Sequence, residues 1–204
     1  MEEVFTNIYE NKSWGNSIND EYSGSSGAGS HIYHNINTYV PFLKKFIIDN
    51  NIKNVVDLGC GDFLCGNLIY NNLDISSYTG YDTYLKLINH HIKHYSSPKY
   101  SFIHLDFCNY KEDIVGGDLC ILKDVLMHWS LDNINTFLDY LIKSKKFKYI
   151  LICNCSDQLE DNTNIVNGQW RQLSANYYPL KKYNPKIIYN FMSNDMKEVS
   201  LITI

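Results

Sequence analysis

The sequence predicts an α/β protein with one mostly parallel, doubly wound sheet that ends in a C-terminal antiparallel hairpin. Three observations predict it. Short apolar runs alternate with stretches of helical periodicity from residue 55 onward. Tyr149-Ile150-Leu151-Ile152-Cys153 is apolar throughout, as suits a strand covered on both faces of a parallel sheet. Val55–Leu58 runs straight into Gly59-Cys60-Gly61, a sharp turn at a strand's carboxyl end, where open α/β sheets bind ligands.

The elements follow in order. Residues 1–30 are expected as an N-terminal extension or lid that ends in Ser23-Gly24-Ser25-Ser26-Gly27-Ala28-Gly29-Ser30. That composition suits a linker, yet Trp14 and Tyr22 give the segment surface to dock with. Residues 31–204 are expected as the main domain. Apolar positions from Ile32 through Tyr39, Val40, Leu43 and Ile47 have helical spacing, with Pro41 as a kink. Strands are expected at Val55–Leu58, Ser77–Tyr81, Tyr100–Leu105, Leu119–Lys123 and Tyr149–Cys153. Helices are expected at Leu64–Asn71, Tyr84–Tyr95 and Leu131–Lys143. Ile187–Met192 and Glu198–Ile204 flank Ser193-Asn194-Asp195 and read as the closing hairpin.

Composition narrows the function classes. The chain has 204 residues, enough for one sizeable core, with 45% hydrophobic and 20% charged residues. Its net charge of −4 gives no field favouring nucleic acid or an anionic membrane. No apolar run is long enough to span a bilayer, and the acidic, polar start is unlike a secretory signal. Six cysteines fall in or beside predicted strands, with no CxxC pair and no zinc spacing. Buried free thiols, a cytoplasmic location and no metal are the expectations.

Three acids then stand at three successive strand ends. Asp57 precedes Gly-x-Gly, Asp82 follows the second strand and Asp106 the third. A dinucleotide fingerprint needs G-x-G-x-x-G, but Phe63 and Leu64 follow Gly61 and the next glycine is Gly66. That disfavours a dehydrogenase. Asp82 suits the two hydroxyls of a ribose, since a carboxylate accepts both hydrogen bonds. Any one acid alone reads equally as a cap or turn residue. Asp62 is placed to cap the following helix.

The fourth strand leads into Lys123-Asp124-Val125-Leu126-Met127-His128-Trp129-Ser130. Histidine is the usual general base near neutral pH. Asp124 lies four residues before His128, so on a helical turn the two side chains meet. His128 also reads as a packed helix histidine. His90, His91 and His94 share one predicted helix and read as a solvated face.

These strings resemble class I S-adenosylmethionine methyltransferases, whose first motif is an acid followed by x-G-x-G. The likeness extends to methyltransferases associated with glycosyltransferases and surface-glycan synthesis in bacteria and large DNA viruses. It is carried by Trp14-Gly15, Ser26-Gly27-Ala28-Gly29-Ser30, Cys60-Gly61-Asp62-Phe63, Lys123 through Ser130, and Gly168-Gln169-Trp170-Arg171-Gln172-Leu173. Lys123 stands where that group has arginine, and Leu64-Cys65-Gly66 replaces an aromatic-Trp.

The resemblance implies a Rossmann-like class I methyltransferase fold, S-adenosylmethionine as cofactor and S-adenosylhomocysteine as product. It implies cofactor contacts from Asp57, Gly59, Gly61, Asp62, Phe63, Asp82, Asp106, Phe107 and Lys123. Asp106 would take the adenine amine and Phe107 would pack on the ring. His128 and Asp124 would be catalytic, and Trp129, Trp170 and Arg171 would hold the acceptor. That acceptor would be a sugar hydroxyl, on a nucleotide sugar or a glycan, with glycosyltransferases as partners and the host cytoplasm as location if viral. Trp170 and Arg171 read equally as a loop plug and a local ion pair. Two alternatives stay open: methylation of another small molecule or a protein, and an inactive S-adenosylmethionine-binding partner subunit.

Overall fold

The computed structural model describes residues 1–157 and 160–204. Its core is a seven-stranded sheet in the order β3-β2-β1-β4-β5-β7-β6. The strands are β1 (Asn54–Leu58), β2 (Ser77–Asp82), β3 (Tyr100–His104), β4 (Gly117–Lys123), β5 (Phe147–Cys155), β6 (Lys186–Met192) and β7 (Met196–Thr203). The first five pair in parallel, and β7 runs antiparallel against both β5 and β6. Strand order reverses between β1 and β4, so the carboxyl ends of those two strands open the crevice where this architecture takes ligands.

Side-chain alternation explains why the strands read as apolar runs. Cys120 and Leu122 of β4, with Ile150 and Ile152 of β5, enter one core cluster. Leu119 and Ile121, with Leu151 and Cys153, enter the other. Both faces are therefore buried, and each fully buried aliphatic side chain contributes about 1.5–3 kcal/mol. Helix α6 (Leu131–Ser144) covers the first face through Ile134, Phe137, Leu138 and Leu141. Its start is fixed by Ser130, whose hydroxyl accepts from the Asn133 amide. Helices α3 (Tyr39–Asp49) and α4 (Gly66–Tyr70), with Ile88 of α5 (Leu85–Tyr95), cover the second.

Three expectations shift. The helical stretch expected over residues 31–50 is two helices, α2 (Ile32–Asn35) and α3, broken before Tyr39. Pro41 lies in the first turn of α3, where its missing N–H costs nothing, so it starts the helix rather than kinking it. The helix after β1 is shorter than expected because Phe63 has φ 54° and the chain enters α4 only at Gly66. Finally, the extension is folded. Helix α1 (Glu2–Glu10) packs Phe5 against the first core cluster. Tyr9, Tyr22 and Trp14 pack with Tyr84 and Leu87.

All six cysteines are free thiols: Cys60 and Cys65 are half-buried and the other four buried. No helix among the described residues is long and apolar enough to cross a membrane.

Candidate active site

The turn after β1 has the backbone that glycine permits. Gly59 and Gly61 have φ of 83° and 53°. A Cβ on Gly59 would meet Val125 Cγ2 at 2.5 Å, and one on Gly61 would meet Ser26 Oγ at 2.6 Å. The amides of Gly59 and Cys60 both donate to the Tyr81 carbonyl at 2.9 Å, which pins the turn to the end of β2. Phe63 turns inward into a ring cluster with Tyr78 and Phe102, 5.1 Å from each, and so forms the floor beneath the turn.

A cleft of about 1080 Å³, open mouth included, lies at this point, comparable to the upper end of small-molecule sites. Asp57, Asp82 and Asp106 all line it. Burial pushes the Asp57 carboxyl up to about 6, although Tyr78 Oη donates to it at 2.9 Å. Burial also raises Asp82, whose two oxygens accept the amides of Gly61 and Tyr84, each at 3.1 Å. The second acid therefore braces the glycine turn as well as facing the cleft. Burial works against the charge of Asp106, but the α-ammonium of Met1 at 2.8 Å and Asn109 outweigh it and hold the carboxyl below its usual range. The amine on Asp106 is thus this chain's own.

Asp62 does not cap α4, whose first residues have no side-chain cap. Its Oδ2 accepts the Ser26 amide at 3.3 Å and the Ser30 hydroxyl at 2.8 Å, while its own amide donates to Ser26 Oγ at 2.7 Å. The Gly/Ser-rich string is therefore docked on the glycine turn. Tyr9 reinforces it, its hydroxyl 2.7 Å from Ser26 Oγ.

The end of β4 departs most from expectation. Asp124 does not hold His128. The residue has φ 57° and only Leu126–His128 form a 3-10 turn, so four-residue spacing fails to bring the side chains together. Asp124 instead takes Lys123 Nζ on Oδ2 at 2.8 Å and Lys197 Nζ on Oδ1 at 2.7 Å. Burial alone would raise its carboxyl; the two lysines reverse this and hold it at about 2. Lys123 also donates to the Gly29 carbonyl at 2.8 Å, tying the docked string to the same ion group.

His128 lines the cleft, with Nδ1 3.1 Å from the Gln169 carbonyl. A carbonyl only accepts, so Nδ1 carries the proton and Nε2 keeps its lone pair. Burial lowers the imidazole below its usual range, which favours that neutral form. Trp14 lies over the ring at 4.8 Å between centroids.

The acceptor residues divide. Trp129 is buried between Phe107 at 5.8 Å and Phe137 at 5.1 Å, and with Phe107 it forms a wall of the cleft. Trp170 is 52% exposed and stands outside the cleft. Arg171 is buried, and its guanidinium donates to the carbonyls of Trp129 at 2.5 Å and Thr163 at 3.4 Å. It ties two loops together and presents no free fork to a ligand.

Sequence reasoning missed Asn35, Tyr39 and Lys197. Asn35 and Tyr39 line the cleft, each at least 97% buried, yet Asn35 Oδ1 and the Tyr39 hydroxyl have no hydrogen-bond partner. The only signal for Asn35 was an amide on an otherwise apolar helical stripe. For Lys197 it was a lysine inside a strand.

Solved structures share this architecture. The fold is that of class I methyltransferases. The methyltransferase domain of bacterial CtHen1 matches with TM-score 0.60 and 14% identity, over 81% of this chain and 97% of that one. Magnesium protoporphyrin IX methyltransferase from Synechocystis PCC 6803, solved with bound S-adenosylhomocysteine, matches with TM-score 0.56 and 14% identity, over 80% of each chain. Mitomycin 7-O-methyltransferase matches with TM-score 0.57 and 14% identity, over 81% of this chain and 54% of that one. No protein-family model matches the sequence, and no curated protein matches it.

Proposed function

We propose that this protein is an S-adenosylmethionine-dependent O-methyltransferase acting on a sugar hydroxyl, with His128 as general base. The observation that carries the reading is the cleft at the β1/β4 reversal, which gathers the glycine turn, three strand-end acids and a neutral imidazole. The solved structures of like fold support the reaction class, and the motif resemblance supports the sugar.

The residues fit the cofactor. Its amino-acid end has one ammonium and one carboxylate, and the cleft has unpartnered Asn35 Oδ1, the unpartnered Tyr39 hydroxyl and the Lys123 ammonium. Asn35 Oδ1 accepts from an ammonium; Tyr39 and Lys123 donate to a carboxylate. Asp82 would hold the ribose hydroxyls, and Asp106 the adenine amine in exchange for Met1. Phe107 would pack on the ring. Asp62 acts on the turn itself through Ser26 and Ser30, and Asp57 lines the cleft.

When bound, the cofactor supplies a methyl group activated by an adjacent sulfonium. His128 Nε2 takes the proton of the acceptor hydroxyl, and the Gln169 carbonyl holds the ring in the tautomer that permits this. Trp14 and Phe5 pack on the imidazole and keep water from it. Asp124 contributes its field rather than a hydrogen bond, and favours the imidazolium that forms.

The test is calorimetric titration with S-adenosylhomocysteine, followed by methyl transfer to a panel of nucleotide-linked deoxysugars and free glycosides. Binding with turnover on a sugar is expected. Binding without turnover on any sugar would overturn the acceptor class, and no binding would overturn the cofactor.

A further inference from the structure

We infer that Glu21, His90 and His94 form a site for a divalent first-row cation of the zinc class, and that the ion fastens the N-terminal segment to α5. This revises the sequence reading of His90, His91 and His94 as one solvated face. His91 is fully buried, its Nε2 donating to the Gly61 carbonyl at 2.7 Å. The other two turn the opposite way, toward Glu21.

The geometry is that of a ligand set. His90 and His94 are one helical turn apart, with ring centroids 4.4 Å apart. His90 Nδ1 lies 3.1 Å from Glu21 Oε2, and His94 Nε2 lies 2.8 Å from Oε1. One ligand atom from each residue lies within 4.8 Å of the other two. Zinc sits about 2.0–2.2 Å from imidazole nitrogen and carboxylate oxygen, so an ion in the centre needs small side-chain rotations only. Two imidazoles and one carboxylate leave a fourth position for water. Imidazole selects zinc, copper or nickel over magnesium and calcium.

The surroundings are prepared for it. Glu21 sits in a loop closed by the Asn16–Gly24 bridge and the bond from the Ser17 amide to the Ser23 carbonyl. Its own amide donates to Asn19 Oδ1 at 3.0 Å. The Tyr22 ring meets His90 at 5.3 Å, edge to face, and holds its orientation. Lys93 Nζ occupies Glu21 Oε1 at 2.9 Å and is the cation that the metal displaces. Lys93 is well exposed, so it swings into solvent at little cost. Glu21 and His94 also reach the surface, which gives the ion an entry path.

The experiment is a Zn2+ titration of the full chain against a chromophoric chelator, repeated with Co2+ as a spectroscopic probe. We expect one ion per chain, weakened roughly tenfold or more in both E21Q and H94A. We also expect the metal to protect residues 12–30 from protease in the wild type and in neither variant. Both substitutions are at the surface, and unchanged thermal unfolding without metal shows that they fold. Absence of a stoichiometric ion would overturn the inference. So would unchanged affinity in the E21Q/H94A double variant, or thiolate charge-transfer absorption with Co2+, which would place the ion on cysteines.

Discussion

Lys197 and Asp124 are 73 positions apart in the chain and meet at 2.7 Å beneath the cleft. The lysine side chain is 3% exposed, and its ammonium also lies 3.1 Å from Cys155 Sγ. With Lys123 on the other oxygen, Asp124 is the one carboxylate between two ammonium groups. Breaking such a group leaves charges buried without a partner.

The D124N variant is therefore expected to lose about 3 kcal/mol of stability at neutral pH. The sign with pH follows from linkage. The folded carboxyl is held at about 2, below the value of about 3.9 in an unfolded chain. Its contribution is present above about pH 4 and disappears as pH falls toward about 2. Urea midpoints of wild type and D124N should converge over that window, and a constant difference would count against the assignment.

His128 is also shifted down, but here burial itself is the cause. Burial lowers its imidazole below the usual 6.5, so the base form persists to lower pH. The acidic limb of the kcat/KM profile should fall below pH 6.5. H128A should lose about 10²–10⁴-fold in turnover with S-adenosylhomocysteine affinity unchanged. Full turnover in that variant would remove the base.

Tyr39→Phe isolates one orphaned group. An unpartnered buried hydroxyl costs about 1–3 kcal/mol, so Y39F should raise the stability of the ligand-free protein. It should weaken S-adenosylhomocysteine by roughly fivefold, about one lost hydrogen bond. Affinity for 5′-methylthioadenosine, which lacks the amino-acid end, should not change. Equal loss for both ligands would place the hydroxyl elsewhere in the site.

Gly61→Ala probes the docked string. The added methyl would collide with Ser26, and the positive φ costs a further ~1–2 kcal/mol. Residues 23–30 should become sensitive to protease while the far-UV spectrum stays unchanged. Protection equal to wild type would show that Ser26 moves aside.

The sequence by itself determined the sheet, because strands buried on two faces must be apolar at every position, as Ile150 through Cys153 are. It also determined the turn, since only glycine fits easily at φ 83° against Val125. From these, the placement of Asp57, Asp82, Asp106 and His128 around one cleft was legible. Local spacing did not reveal side-chain partners. Asp124 and His128 look paired at four residues apart, but a left-handed residue between strand and 3-10 turn separates them. Arg171 looks like a ligand clamp, yet two backbone carbonyls 42 and 8 positions away take its guanidinium. Only the tertiary structure decided these, and it decided the N-terminal segment too. Its docking rests on Ser30 and Gly29 meeting Asp62 and Lys123, far along the chain. Periodicity reports which face of an element is buried. A buried polar atom is partnered by whatever the fold brings within about 3 Å, and that is a property of the assembled sheet.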